Sequence, residues 1–155
     1  MPKTGEHLLG STFYSLHYHV VFSTKQRRPL IHPAWRAQLH AYMGGTTHGL
    51  EGVPECVGGV DDHVHLLVSL KTTSIMADWV RELKKASSTW ASEHHEPLFS
   101  WQDGYSVFTL SWTHVPDVRK YIENQESHHA KTSFMDELIR LFAKNGVKYD
   151  PKYLE

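Results

Sequence analysis

Two histidines lie two residues apart in the segment 61–65, Asp-Asp-His-Val-His. The residues that follow, as far as Leu70, are mostly apolar and predict a buried strand. Because side chains alternate along a strand, His63 and His65 point to the same face. Two imidazoles on one face of a strand form half of a site for a divalent metal. Many such pairs bind nothing, so the motif alone leaves both interpretations open.

A second notable group begins at Pro116. Val118, Tyr121, Ile122 and Gln125 follow at i, i+3, i+4 and i+7, which predicts a helix with one continuous face. This face mixes two apolar residues with a phenol and an amide. A partly buried tyrosine bonded to a local glutamine explains the pattern as well as a functional site does.

The elements that must position these residues alternate in type along the chain. Strands are predicted at 13–24, 51–60, 63–70 and 104–111. Helices are predicted at 33–48, 74–93 and 116–127, with a final one from Ser133 to Gly146. The short connection between the second and third strands predicts an antiparallel hairpin. The order β-α-β-β-α-β followed by two helices matches the ferredoxin-like unit, an α+β fold.

In this fold the first and third strands are adjacent and central, and the first two helices cover one face of the antiparallel sheet. By strand parity His63 and His65 point to the free face, and His17 and His19 share it. The free face needs a cover. We expect the helix that begins at Pro116, which carries the tyrosine, to lie over it, with the final helix beyond.

Composition narrows the class of protein. With 155 residues, 40% of them hydrophobic and 21% charged, the chain is long enough for one domain, which we expect to span 1–155 with a loose leader at 1–10. The 13 histidines favour metal or proton chemistry. The net charge of −1 gives no overall basic field, so nucleic acid would need a local patch.

Cysteine content and hydropathy exclude further classes. The single Cys56 excludes an internal disulfide and a cysteine-rich zinc site. No apolar run approaches the roughly 18 residues of a membrane span. The segment from Met1 to Gly10 lacks a signal-peptide core. We therefore expect a cytoplasmic protein without a membrane partner.

Five segments together resemble the single-tyrosine transposases of the IS200/IS605 type, members of the HUH endonuclease superfamily, and their relatives, the REP-associated tyrosine transposases. The segments with the strongest likeness are His63-Val64-His65 and the Tyr-x-x-x-Gln helix formed by Tyr121 and Gln125. The others run from His19 to Lys25, from Trp101 to Tyr105 and from Asn124 to His129. Their order and spacing agree over nearly the whole chain, from about Phe13 to the C-terminus.

The resemblance implies DNA transposition by metal-dependent cleavage and rejoining of single-stranded DNA through a covalent 5′-phosphotyrosine intermediate. It implies that His63, His65 and Gln125 hold a divalent metal, Mg²⁺ or Mn²⁺, and that Tyr121 is the nucleophile. Such an ion acts as a Lewis acid on the phosphoryl oxygen. A phenol has an ordinary pKa of about 10, so Tyr121 needs a nearby cation or base, which the sequence does not identify.

The implied partners are single-stranded DNA, often with a hairpin near the cleavage site, and a second copy of the chain in a homodimer. Single-strand binding combines basic residues with stacking aromatics. The candidates for DNA contact are Lys25, Arg27, Arg28, Arg81, Lys84, Lys85, Trp101, Arg119 and Lys120. We expect three further residues to contact the metal ligands and to orient them: His17, His19 and Asp62.

Two rival functions fit parts of the pattern. A catalytically silent binder on an RRM-like sheet would carry exposed aromatics on its central strands, where this chain carries histidines. A two-histidine RNA phosphodiesterase needs two His-x-Ser/Thr motifs, which His63-Val64-His65 does not match. Within the transposase interpretation, an enzyme of a mobile element and a domesticated enzyme acting on palindromic repeats are alternatives that flanking DNA would separate.

Overall fold

The computed structural model describes residues 10–154, so residues 1–9 of the expected leader lie outside the described part. The strands are β1 (His17–Ser23), β2 (Val53–Gly59), β3 (His63–Ser69) and β4 (Ser106–Leu110). The helices are α1 (Pro33–Gly49), α2 (Met76–His94), α3 (Val115–Glu123), α4 (Gln125–His129) and α5 (Phe134–Lys144). Short 3₁₀ turns lie at Lys25–Arg27, Trp112–His114 and Pro151–Tyr153. Within residues 10–154, no helix combines the length and the apolar character needed to cross a membrane.

The four strands form one sheet in the order β2-β3-β1-β4, with each neighbouring pair antiparallel. This confirms the ferredoxin-like fold with β1 and β3 at the centre. β1 is shorter than predicted and begins at His17, because its partners β3 and β4 both end opposite that residue. The helix predicted at 116–127 is divided at Asn124, whose φ of −98° and ψ of 18° separate α3 from α4.

The first face of the sheet is covered by α1 and α2. Val20 and Phe22 of β1, with Val64 and Leu66 of β3, are fully buried in the same apolar cluster. The stripe expected on α2 contributes Trp79, Val80 and Leu83 to this cluster. The main hydrophobic core therefore lies between the sheet and these two helices, as the alternation predicts.

The second face is covered by α3, α4 and α5. Leu67 packs with Val115 and Ile122 of α3, and a separate cluster joins β1, β4 and α5 through Val21, Phe108, Phe134, Leu138 and Phe142. α3 approaches β2 closely at Gly58, where an added Cβ would lie 2.6 Å from the carbonyl oxygen of Ile122. The two clusters leave a polar space between them, and this space contains the histidines of β3.

Candidate functional site

β3 delivers His63 and His65 to the second face of the sheet, and both side chains are fully buried. The Nδ1 atom of His63 lies 2.7 Å from Asp62 Oδ1. The Nδ1 atom of His65 lies 2.7 Å from His19 Nε2, one strand away. The Nε2 atoms of both rings face side chains of the helices that cover this face.

α3 and α4 bring the predicted tyrosine and glutamine to the same space. Gln125 is buried, and its amide oxygen lies 3.0 Å from His63 Nε2. The half-buried ring of Tyr121 lies with its centroid 5.7 Å from that of His65. Tyr121 therefore lies against the histidines of its own chain.

α5 contributes a carboxylate that the sequence analysis did not identify. Glu137 is only 1% exposed. Its Oε1 accepts hydrogen bonds of 3.0 Å from His65 Nε2 and of 3.0 Å from His129 Nε2. The same oxygen lies 3.4 Å from His63 Nε2. One buried carboxylate oxygen is thus the point at which three imidazoles converge.

The second oxygen of Glu137 faces the nucleophile candidate. Oε2 accepts a hydrogen bond of 2.9 Å from the amide nitrogen of Gln125 and a hydrogen bond from the Tyr121 hydroxyl. Burial and this carboxylate raise the pKa of the Tyr121 phenol above its ordinary value. Tyr121 is accordingly a neutral phenol in this arrangement.

Opposing effects set the charge of Glu137. Burial alone would raise the pKa of its carboxyl, but hydrogen bonds from His129, His63 and His65 outweigh burial and hold that pKa well below its usual range. A buried carboxylate needs such partners, because an unpaired buried charge is strongly destabilising. Glu137 is therefore ionised at neutral pH.

The histidines differ in their charge. Burial lowers the pKa of His63, but its bonds to Asp62 and Glu137 more than compensate and raise it to about 9. Burial dominates at His65 and lowers its pKa. Burial, together with the neighbouring His65, also lowers the pKa of His19 to about 3. His65 and His19 are thus neutral imidazoles, the form in which histidine binds metals.

Four side chains of this group could hold a metal ion. The ligand atoms of His63, His65, His129 and Glu137 all lie within 4.8 Å of one another. The predicted ligand Gln125 presents its amide oxygen beside His63, at the 3.0 Å given above. The sequence-based assignment of His63, His65 and Gln125 as ligands stays a prediction, and the structure brings all three together.

The supporting residues expected behind the ligands are divided between two places. Asp62 and His19 contact His63 and His65, as described above. His17, the first residue of β1, instead lies with its Nδ1 atom 3.5 Å from Glu55 Oε2. Its contact with the ligands, expected from parity alone, is not present.

Sequence reasoning missed Glu137. The signal for Glu137 was its place in the apolar stripe of the last helix, where Phe134, Glu137, Leu138 and Leu141 are spaced i, i+3, i+4 and i+7. A carboxylate within such a stripe is buried, and glutamate is almost never fully buried unless it is paired. This spacing indicates a partner but does not identify it.

The basic residues expected to contact DNA lie in several places. Arg81, Lys84 and Lys85 belong to α2, on the opposite side of the sheet from Tyr121. Lys84 donates to the carbonyl oxygens of Gln102 and Gly104, and burial lowers its pKa to about 8.

The remaining candidates lie in three other places. The loop that contains Lys25, Arg27 and Arg28 follows Thr24, which bonds to the backbone of Asp62. Arg119 donates to the Glu55 carbonyl oxygen, and Lys120 is exposed beside Tyr121.

The structure corrects the stacking role expected for Trp101. This side chain is 7% exposed, packs edge-on against Phe22 and Phe99, and donates from Nε1 to Ser87 Oγ. Because so little of this side chain is exposed, it offers little ring surface on which a base could stack. Trp112, just before α3, is 65% exposed and offers an aromatic surface instead.

Two grooves meet at Tyr121. One, of about 700 Å³, includes His19, Phe108 and Lys144 among its lining residues. The other, of about 650 Å³, has a basic lining that includes Lys120, His128, Lys131 and Arg140. Tyr121 lines both grooves.

Comparisons with known proteins identify the family of this chain and its fold. Residues 12–125 match the family described as transposase IS200-like. The ISDra2 transposase TnpA of Deinococcus radiodurans is 29% identical over 121 residues, which cover 72% of this chain and 85% of that protein. Two solved structures share the fold. A Deinococcus radiodurans protein described as a transposase has a TM-score of 0.63 at 24% identity, covering 75% of this chain and 95% of that one. A REP-associated tyrosine transposase bound to a REP hairpin has a TM-score of 0.58 at 14% identity, covering 79% and 74%.

Proposed function

Because this chain belongs to the IS200-like transposase family, we propose that it cleaves and rejoins single-stranded DNA through a covalent bond between Tyr121 and a DNA 5′-phosphate. The observation that supports this most strongly is the convergence of Tyr121, Gln125 and the His63–His65 pair in one space. Gln125 Oε1 lies 3.0 Å from His63 Nε2, and Tyr121 lines two grooves. A tyrosine with a purely structural role would not need to lie both beside a cluster of imidazoles and at the wall of two grooves.

The proposed reaction exchanges one ester for another. The Tyr121 oxygen attacks the phosphorus, the bond from phosphorus to the 3′ oxygen breaks, and the phenolic proton is balanced by the proton that the departing 3′-hydroxyl gains. In the reverse step a 3′-hydroxyl attacks the phosphotyrosine, which restores the phosphodiester and the phenol. The ester energy is conserved, so strand transfer needs no nucleotide, in keeping with a chain without a P-loop motif.

The residues around Tyr121 have separate roles in this reaction. His63 and His65 through Nε2, and Gln125 through its amide oxygen, would hold a divalent ion, Mg²⁺ or Mn²⁺, in keeping with the general metal dependence of the family. Such an ion supplies Lewis-acid stabilisation of the scissile phosphate and a positive charge near the phenol. Glu137 Oε2 accepts the hydrogen bond of the Tyr121 hydroxyl and so orients its oxygen.

We propose that the substrate follows the two grooves. Lys120, Lys131 and Arg140 would contact phosphates on one side of Tyr121, and the groove with Phe108 and His19 would receive the nucleotide on the other. Because a relative of the same fold is bound to a REP hairpin, we include a hairpin next to the cleaved strand in the proposed substrate. We also propose a homodimer, for which β2 and β4 offer the edges of the described sheet.

A covalent adduct tests the proposal. The protein is incubated with Mn²⁺ and single-stranded oligonucleotides that cover the DNA on both sides of the gene, and the products are separated on a denaturing gel. We expect a protein–DNA adduct that is absent in Tyr121→Phe and present in the control Tyr42→Phe. The ring of Tyr42, in α1, stacks on that of Trp90, in α2. An adduct that persists in Tyr121→Phe contradicts the assignment. Oligonucleotides from chromosomal palindromic repeats, run in parallel, separate a mobile-element enzyme from one that acts on repeats.

A further inference from the structure

We propose that Glu137 and His129 are additional ligands of the metal centre, and that the completed centre binds a transition-metal ion such as Mn²⁺ in preference to Mg²⁺ without DNA. This inference deepens the metal site of the proposed function and rests on it. It gives α5 a ligand of the metal, whereas the sequence analysis expected all the ligands to come from β3 and from the helix that carries Tyr121.

The distances around Glu137 Oε1 are those of one ligand shell. This oxygen lies 3.0 Å from His65 Nε2, 3.0 Å from His129 Nε2 and 3.4 Å from His63 Nε2. Ligand atoms about 2.1 Å from one ion are about 3.0 Å apart along an octahedral edge and about 3.4 Å apart along a tetrahedral edge. The three distances to Glu137 Oε1 therefore match those around a common ion, and all four ligand atoms lie within 4.8 Å of one another.

The far side of each ligand is also held in place. Metal-binding imidazoles commonly use their other nitrogen to bond a carboxylate, a carbonyl oxygen or another polar group, which fixes the direction of the ring. Nδ1 of each ring has such a partner at 2.7 Å; for His63, His65 and His129 in turn these are Asp62 Oδ1, His19 Nε2 and the Thr132 carbonyl oxygen. A carboxylate buried only for stability would need hydrogen bonds, but it would not need three rings braced so that all their Nε2 atoms meet at it.

The donor set determines which ion the centre prefers. Three imidazole nitrogens suit Mn²⁺ and the later first-row ions, whereas Mg²⁺ prefers oxygen ligands and retains its waters. The carboxylate of Glu137 adds negative charge, and Gln125 adds an amide oxygen beside His63. Five protein donors leave one position of an octahedral ion for a phosphate oxygen, so the proposed reaction still has access to the ion.

Calorimetric titration of metal-stripped full-length protein with MnCl₂ and with MgCl₂, in the absence of DNA, tests the inference. We expect the wild type to bind Mn²⁺ at least about tenfold more tightly than Mg²⁺, and Glu137→Gln and His129→Gln each to weaken Mn²⁺ binding by at least about tenfold. Two matched controls should stay within about twofold of the wild type. Glu126→Gln removes an exposed carboxylate that pairs with Arg36, and His48→Gln removes an exposed imidazole in the last turn of α1.

The outcomes separate this inference from the proposed function. If Glu137→Gln does not fold by circular dichroism, His129→Gln decides the question. Unchanged Mn²⁺ affinity in the folded variants, or equal wild-type affinity for Mn²⁺ and Mg²⁺, overturns the inference. A protein that binds Mn²⁺ through these residues but forms no adduct with DNA leaves the inference standing and contradicts the proposed function.

Discussion

The two faces of the sheet are made by the same strands but contain different chemistry. Along β3, Val64 and Leu66 point to α1 and α2, where they join one continuous apolar cluster. His63 and His65 alternate with them and point to α3, α4 and α5, where a buried carboxylate and an amide lie between two small apolar clusters. Alternation thus lets one strand contribute to the core and to a polar site at once. The apolar face supplies stability, and it holds the histidines of the other face in fixed positions.

The largest effect on stability is expected on the apolar face. Leu66→Ala should lower the free energy of unfolding by about 2–5 kcal/mol, because it leaves a cavity in the main cluster. Leu67→Ala, its buried neighbour on the other face, should cost nearer to about 2 kcal/mol, because its small cluster with Val115 and Ile122 can close around the gap. Urea unfolding of both variants measures the difference. Equal costs, or a larger cost at Leu67, would show that the faces do not differ in this way.

A substitution at Gly58 tests how closely α3, the helix that carries Tyr121, must approach the sheet. Gly58→Ala places a Cβ 2.6 Å from the Ile122 carbonyl oxygen, so α3 has to move away from β2. We expect a loss of about 1–3 kcal/mol in unfolding free energy and a clear drop in adduct formation. Gly45→Ala in α1, where nothing lies within 4 Å, is the control and should stabilise by up to about 1 kcal/mol. Wild-type stability and adduct yield in Gly58→Ala would contradict the close approach.

His40 lies where the two faces meet, in a cavity between α1, β2 and α3. Burial, and then Arg36, lowers its pKa from 6.5 to about 4. Arg36 itself pairs with Glu126, and Glu123 also lines the cavity. Between these pH values the unfolded chain takes up a proton that the folded protein does not, so the stability present above pH 6.5 is lost as the pH falls towards 4.

His40→Gln should remove this acid sensitivity. Between neutral pH and the acid end of that window the variant should lose about 1–3 kcal/mol less unfolding free energy than the wild type. Urea unfolding at several pH values measures the two slopes. Parallel slopes would mean that His40 titrates alike in the folded and unfolded protein.

The smallest effects concern DNA affinity, and they compare the cations of the two faces. Lys131→Ala and Arg140→Ala, in the groove beside Tyr121, should each weaken single-stranded DNA binding several-fold and reduce the salt slope by about 0.7 per lost phosphate contact. Arg81→Ala and Lys85→Ala, on α2, should leave affinity within about twofold. Fluorescence anisotropy over a range of salt concentrations gives both quantities. Equal losses of DNA affinity from the two α2 substitutions would mean that the DNA binds on the face of the sheet that α1 and α2 cover.

The parts of the fold that depend on local pattern were predictable. Alternation in β3 placed His63 and His65 on the face opposite Val64 and Leu66, and the spacing of Tyr121 and Gln125 placed them on one side of a helix. Both inferences use periods of a few residues. The order of the strands followed from the sequence of elements and from the known preference of that order for one topology.

Contacts between distant segments were not predictable in the same way. Glu137 is separated from its partner His65 by 72 positions, and the apolar stripe of α5 does not specify which part of the sheet that helix covers. Trp101 was expected to contact DNA, but a bridge between Thr24 and Trp101 holds that segment against the core. In both cases the side chain's environment is set by packing between elements far apart in the chain.

The attachment point of the DNA tests the central claim most directly. Trypsin cuts after Lys120 and Lys131, which releases the peptide 121–131 with Tyr121 as its one tyrosine. After reaction with single-stranded DNA, nuclease trimming and proteolysis, fragmentation mass spectrometry should find a nucleotide 5′-phosphate on Tyr121. The same mass on Ser127 of that peptide, or on any other residue, would contradict the account.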